Sequence, residues 1–252
     1  MDKKTDRIVN FIKDYVKEAN KDGVVLGLSG GLDSAVVAVL AKKALGSKNV
    51  HCRYLPYEVN KFDDKHIFKL CKRFDLVFDT MNISKAVDAI YLYPLEGCGD
   101  KKVLGNIKAR IRMVFLYMEA NMYNCLVIGT GNKSEIMTGY FTKYGDGGVD
   151  FEPIAHLYKT EVFKMAKFLD IPNEIIDKPP TAGLWEGQTD EGELGLSYET
   201  LDKILKYKSS FKTHNSEQLA HRVDCEKDDV ELVKYLVSQS EHKRNERKRS
   251  NL

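Results

Sequence analysis

Residues 23–40, GVVLGLSGGLDSAVVAVL, carry three signals in a row. The apolar run 23–29 reads as a buried strand, 29–34 as a glycine-rich loop, and 34–45 as a helix. Two adjacent glycines let a backbone approach an anion without Cβ clashes. Amides at a helix N-terminus favour negative charge. The Walker phosphate motif G-x-x-x-x-G-K-[ST] has a lysine that this loop lacks. Ser29 and Ser34 offer hydroxyls, but Asp33 repels phosphate. It reads either as a helix cap or as a ligand for a divalent cation that bridges to phosphate. A helix start with no ligand satisfies the same spacing.

Outward from this stretch, strands and helices alternate. Strands are expected at 49–56, 75–80 and 124–130, and helices at 61–74, 84–92, 101–123 and 159–170, the last stopped by Pro172. An amphipathic helix opens the chain, with Ile8, Phe11, Ile12, Tyr15, Val16 and Ala19 at helical spacing. The pattern predicts a single α/β domain over residues 1–252, a doubly wound, mainly parallel five-stranded sheet with helices on both faces. The segment 177–197 differs, with two prolines, four glycines and little apolar periodicity, and is expected to be a functional or mobile loop. From about Asp228 the tail is expected to be helical and then strongly charged.

Composition excludes several classes. Hydrophobic residues at 43% and charged residues at 30% suit a globular chain. No apolar stretch has the length of a membrane span, and residues 1–20 lack a signal-peptide core. A cytoplasmic protein with no membrane partner is expected. The five cysteines, at 52, 71, 98, 125 and 225, form no C-x-x-C pair and predict buried reduced thiols. Net charge is +2, yet the last twelve residues, EHKRNERKRSNL, carry +3 and the rest sums to −1. Only the tail therefore has the charge to meet nucleic acid, and no nucleic-acid partner is expected.

The whole motif S-G-G-x-D-S after a strand resembles the pyrophosphate loop of the N-type ATP pyrophosphatases, which cleave ATP between the α and β phosphates. The blocks GNIKARIRM, GTGNKSE, TGYFTKYGDGGVDFEPI, KPPTAGLWEGQTDEGELG and EHKR, in this order, resemble ammonia-dependent NAD synthetase over nearly the whole chain. That resemblance implies an adenine nucleotide alpha-hydrolase-like fold and a carbon–nitrogen ligase. It implies amidation of nicotinate adenine dinucleotide (deamido-NAD) by ammonia, with ATP as co-substrate and Mg²⁺ as cofactor. An acyl-adenylate would form on the way to NAD, AMP and pyrophosphate. With about 28 residues ahead of the loop, no glutamine-hydrolysing domain is expected.

Carried over by position, the resemblance implies that Gly27, Leu28, Ser29, Gly30, Gly31, Leu32, Asp33 and Ser34 wrap the ATP phosphates. Asp33 and Glu135 would hold Mg²⁺, and Thr130, Lys159 and Thr181 would contact ATP, Lys159 supplying the positive side chain that the loop lacks. Arg110, Lys143, Asp150, His242 and Lys243 would bind deamido-NAD. Asp146 is the candidate general base for ammonium, beside a bland reading as a turn residue next to Gly147 and Gly148. The loop around Trp185 is a candidate lid that keeps water from the acyl-adenylate, its acidic run Asp190, Glu191 and Glu193 being otherwise an ordinary solvated loop. A homodimer is implied, and Ile111, Val114, Phe115 and Met118 on the long helix suit either an interface or a core. A tRNA-thiolating enzyme of the same fold would want a reactive cysteine pair. A non-catalytic nucleotide module would not need the block 143–150.

Overall fold

Alternation along β1 (Gly23–Gly27) decides the layering: Val24 and Leu26 face one hydrophobic cluster and Val25 another. The computed structural model describes residues 1–58, 61–92, 100–185 and 187–245, without the side chains of 61 and 62. Cys98 and the tail end 246–252 lie outside the described residues.

In chain order, α1 (Asp2–Glu18) precedes β1, which leads into α2 (Leu32–Leu45), β2 (Val50–Tyr54), α3 (Lys61–Phe74), β3 (Phe78–Thr80), α4 (Ser84–Tyr91), α5 (Lys101–Met122) and β4 (Cys125–Val127). After β4 come α6 (Lys133–Thr138), α7 (Lys159–Phe168), α8 (Asn173–Ile176), α9 (Asp190–Leu194), α10 (Tyr198–Leu205), α11 (Ser216–Val223), α12 (Lys227–Gln239) and α13 (Glu241–Arg244). The strands are all parallel, in the order β3-β2-β1-β4. One face carries α1, α2, α3 and α7, and the other α4 and α5. α2 is buried on nearly all sides from Ser34 to Ala41, as its continuous apolar run requires. The C-terminal helices α10–α12 build a third cluster, which reaches the sheet domain through Met137 and Tyr158.

The sheet has four strands among the described residues, which corrects the expectation of five. Beyond β4 the chain returns beside it only at Ile128 and Phe151, a single bridge. Pro153 ends that run, and proline cannot donate to a ladder. β3 and β4 are also shorter than their apolar runs suggest. The loop 177–197 is not wholly irregular: α9 forms inside it, capped by Thr189, whose side chain accepts from Gly192 N.

The chain runs β1 to β2 to β3 in one direction and then returns to place β4 on the other side of β1. A topological switch point therefore lies at the carboxyl ends of β1 and β4, where open α/β sheets bind ligands. Across the sheet, buried Arg53 on β2 pairs its Nε with Glu119 of α5, and its Nη1 donates to Cys52 O at 2.8 Å. Removing one partner of such a pair strands a buried charge. Glu119→Ala is expected to cost about 3–5 kcal/mol in urea unfolding, and Arg53→Met with Glu119→Leu to recover most of it. A loss below about 1 kcal/mol, the range of exposed pairs, counts against a brace between β2 and α5.

Candidate functional site

Two loops meet at the switch point. After β1, Gly30 takes φ +72°, a conformation costly for a side chain. The serines close the turn on itself. Gly31 N donates to Ser29 Oγ at 3.2 Å, Ser34 Oγ donates to Gly31 O at 3.1 Å, and the two hydroxyls lie 3.1 Å apart. No side chain caps α2, so the first amides of that helix stay available to a ligand. After β4, Gly129-Thr130-Gly131 leads into a capping box. Asn132 Oδ1 accepts from Glu135 N at 3.1 Å, and Glu135 Oε2 accepts from Asn132 N at 3.3 Å.

The loops are bonded to each other. Fully buried Asn132 donates from Nδ2 to Asp33 Oδ1 at 3.0 Å. Lys159, the first residue of α7 and 3% exposed, reaches between the loops. Its Nζ is 2.6 Å from Asp33 Oδ2 and 3.1 Å from Glu135 Oε1, and it lies 5.0 Å over the Tyr198 ring. Burial opposes charge on Lys159, but the two carboxylates outweigh it and hold the ammonium above the usual lysine range. Burial, opposed by Lys159 and reinforced by Asp33 and Asp190, raises the pKa of Glu135 above the usual carboxylate range. Two carboxylates and one ammonium leave this buried cluster one negative charge in excess when all three are ionised. A buried carboxylate excess of this kind attracts a cation.

Asp190 adds to the excess. It is 3% exposed and accepts from Tyr198 OH at 3.0 Å through Oδ2. Burial raises its pKa, against the pull of Lys159. The acidic run is thus not an ordinary solvated loop. Glu191 accepts from Tyr198 N at 2.8 Å, and Glu193 accepts from Tyr140 OH at 2.7 Å and Gln188 Nε2 at 2.6 Å. The loop around Trp185 lies on α5, where Lys108 Nζ donates to Leu184 O at 2.9 Å. Within it, Thr181 Oγ1 accepts from Gly183 N at 3.0 Å.

A second group forms where α5, the turn 139–148 and α13 converge. Lys143 Nζ donates to His242 O at 2.8 Å, Arg110 Nε to Lys143 O at 3.3 Å, and Lys243 Nζ to Gly139 O and Phe141 O, both at 2.7 Å. Asp146 Oδ1 accepts from Thr142 N at 2.9 Å. By solvent accessibility Asp146 is exposed. Burial raises its pKa, and the Thr142 amide and Lys243 oppose the rise. The structure thus gathers Arg110, Lys143, Asp146, His242 and Lys243. Asp150 stands apart, accepting from Tyr117 OH at 2.9 Å and Val127 N at 2.7 Å beside β4. Thr130 sits on the turn after β4, half-buried.

The sequence model of the NAD synthase family matches residues 4–247. An NH(3)-dependent NAD(+) synthetase from Pyrococcus furiosus is 45% identical over 239 residues, covering 95% of this chain and 92% of that protein. Among solved structures, an NMN synthetase from Francisella tularensis superposes with a TM-score of 0.87 at 33% identity, covering 100% of this chain and 98% of that one. An NH3-dependent NAD synthetase from Campylobacter jejuni, in complex with the nitrate ion, superposes with a TM-score of 0.84 at 33% identity, covering 99% of each chain.

Two site residues escaped the sequence reading. Asn132 left a signal, the N-x-x-E spacing of a capping box, but its second bond, to Asp33, crosses between loops 99 residues apart. Asp190 left none, because its burial depends on residues outside its own helix, such as Tyr198 and Lys159. Asn132→Ala removes both the cap and the Asp33 bond. It is expected to cost about 1–3 kcal/mol of stability in chemical denaturation and to lower turnover. An unchanged midpoint and rate would show that the two loops hold their positions without it.

Proposed function

The chain belongs to the NAD synthase family, and from that premise we propose how its two residue groups divide the work. The enzyme is a carbon–nitrogen ligase that carries out the ATP-dependent amidation of deamido-NAD with ammonia, giving NAD. The observation that carries the site reading is the bridge of Lys159 between Asp33 and Glu135 at the switch point.

ATP sits with its phosphates on the loop 27–34, its other contacts coming from Thr130, Lys159 and Thr181. The residues present fit Mg²⁺. Asp33 and Glu135 are hard oxygen donors brought together at the Lys159 ammonium, their carboxylates outnumber that one cation, and Mg²⁺ takes one or two protein carboxylates with phosphates beside them. When bound there, Mg²⁺ supplies charge neutralisation for the phosphates. Deamido-NAD sits with its phosphates toward Arg110, Lys143, His242 and Lys243. This arrangement supports a two-step path. An oxygen of the nicotinate carboxylate attacks the α-phosphorus as the bond to the β,γ-pyrophosphate breaks. Ammonia then forms the C–N bond as AMP leaves. The preorganised loops hold the two anions in line. The attacking nitrogen gives up a proton to Asp146, whose raised pKa makes it a stronger base than an open carboxylate. The latched loop around Trp185 keeps water from the acyl-adenylate. No helix among the described residues is long and apolar enough to cross a membrane.

The chain acts as a homodimer through α5. Val114, Met118 and Met122 fall four residues apart and are 63%, 42% and 68% exposed, while Ile111 and Phe115 pack on the core cluster. An apolar stripe of this kind on an open helix face suits a second copy.

Purified protein with ATP, Mg²⁺, ammonium and deamido-NAD is expected to yield NAD, AMP and pyrophosphate. ADP with orthophosphate overturns the cleavage reading, and preferential amidation of the deamido mononucleotide reassigns the substrate. Asp146→Asn is expected to slow NAD formation about 10²–10⁴-fold while leaving ATP–pyrophosphate exchange nearly intact. Equal loss of both removes the general-base role. Met118→Asp is expected to halve the mass seen by light scattering and to raise KM for deamido-NAD. A dimer that persists in this variant excludes the α5 stripe as its interface.

A further inference from the structure

The triphosphate of ATP brings more negative charge to the loop 27–34 than Lys159 offsets, since that ammonium already serves Asp33 and Glu135. A second lysine stands at the same loop. Gly30 is pressed against the first turn of α3, where a Cβ built on it would lie 3.1 Å from both Cβ and Oδ1 of Asp63. Asp63 Oδ1 in turn accepts from Lys178 Nζ at 2.5 Å. The two side chains are 17% and 23% exposed, so the pair is largely shielded from water. A carboxylate set against a phosphate loop repels the ligand unless a cation neutralises it, and Lys178 does so.

The chain holds Lys178 in place with a stiff strut. Pro179 and Pro180 follow it, and the residue before a proline is confined to extended backbone. Pro180 O accepts from Asp190 N at 3.0 Å, which ties the strut to the first residue of α9. An ammonium has three donors, and one of them goes to Asp63. Two remain for oxygens of a ligand on the loop.

We propose that Lys178 is a phosphate-binding residue that contacts the β,γ-pyrophosphate portion of ATP, with Asp63 holding its ammonium beside Gly30. The proposal rests on the reading of the loop 27–34 as the ATP phosphate site. No bond or proton is exchanged; Lys178 offsets the charge that collects on the departing pyrophosphate. This supplies a second cation beside Lys159 to a loop that has none of its own, from a residue about 150 positions further along the chain.

Calorimetric binding of inorganic pyrophosphate with Mg²⁺ to the full chain tests it. Lys178→Ala and Lys178→Gln are each expected to weaken binding about tenfold or more, the scale of one charge-assisted hydrogen bond. The glutamine variant keeps a donor for Asp63 and so preserves the packing. Lys178→Arg is expected to stay within about threefold of the wild type, because it keeps the charge. In turnover assays KM for ATP rises with the loss of affinity, while KM for deamido-NAD stays near its original value. Asp63→Asn keeps or tightens pyrophosphate binding, because it leaves the ammonium in place and removes a competing anion. Pyrophosphate affinity unchanged in Lys178→Gln overturns the proposal. So does an Asp63→Asn variant that loses as much affinity as Lys178→Ala, since that reduces the pair to a brace. A wild-type chain that binds no pyrophosphate overturns the reading of the loop itself, and Lys178 falls with it.

Discussion

A lysine that is 3% exposed keeps its charge only where anions surround it, and the site is organised by that requirement. Lys159 is met by Asp33 from the turn after β1 and by Glu135 from the turn after β4. Its backbone amide donates to Ser134 Oγ at 2.9 Å, so both ends of the residue are anchored to α6. Asp202, fully buried, accepts from Thr160 N at 2.8 Å and from Ser134 Oγ, which locks the starts of α6 and α7 together. Four segments far apart in the chain therefore share one electrostatic centre. Moving any of them strands a buried charge, which costs several kcal/mol.

The strand order makes this centre geometrically available. Because β4 returns to lie beside β1, the turns after those strands open side by side. β2 and β3 lead away from the site, and their helix α3 comes back to it only through its first turn, where Asp63 meets Gly30. Asn132 belongs to this geometry rather than to either loop. Its side chain accepts from its own helix through Oδ1 and donates to Asp33 through Nδ2, so one buried amide fixes both turns.

What lies close along the chain was legible in the sequence. The strand, glycine turn and helix over 23–45 occupy nearly their expected positions, and the long helix expected at 101–123 is α5. Contiguous apolar periodicity reports local structure directly. The resemblance named Asp33, Glu135 and Lys159 by position, whereas their meeting point depends on which strand neighbours which, and no local pattern encodes that. The expected count of five strands had no fifth run assigned to it, and beyond β4 the chain adds only the bridge between Ile128 and Phe151 among the described residues. Asp190 failed differently. Its neighbours Glu191 and Glu193 make the segment look solvated, but the turn of α9 points Asp190 inward, where Tyr198 receives it.

The two residue groups carry opposite charge, and this separation suits a reaction that joins two anions. The cluster around Lys159 has carboxylates in excess and suits a cation shared with phosphate. The group on α5, the turn 139–148 and α13 has cations in excess and suits a phosphate-bearing partner with no metal of its own. Its lysines are already held by backbone carbonyls, Lys143 by His242 and Lys243 by Gly139 and Phe141. These cations are preorganised rather than free to search, and less side-chain entropy is lost when an anion arrives. Asp146 is the exception in that group, a carboxylate kept among cations and crowded by protein until its pKa rises. Another carboxylate faces it: burial and the charge of Asp146 push Glu152 up to about 7.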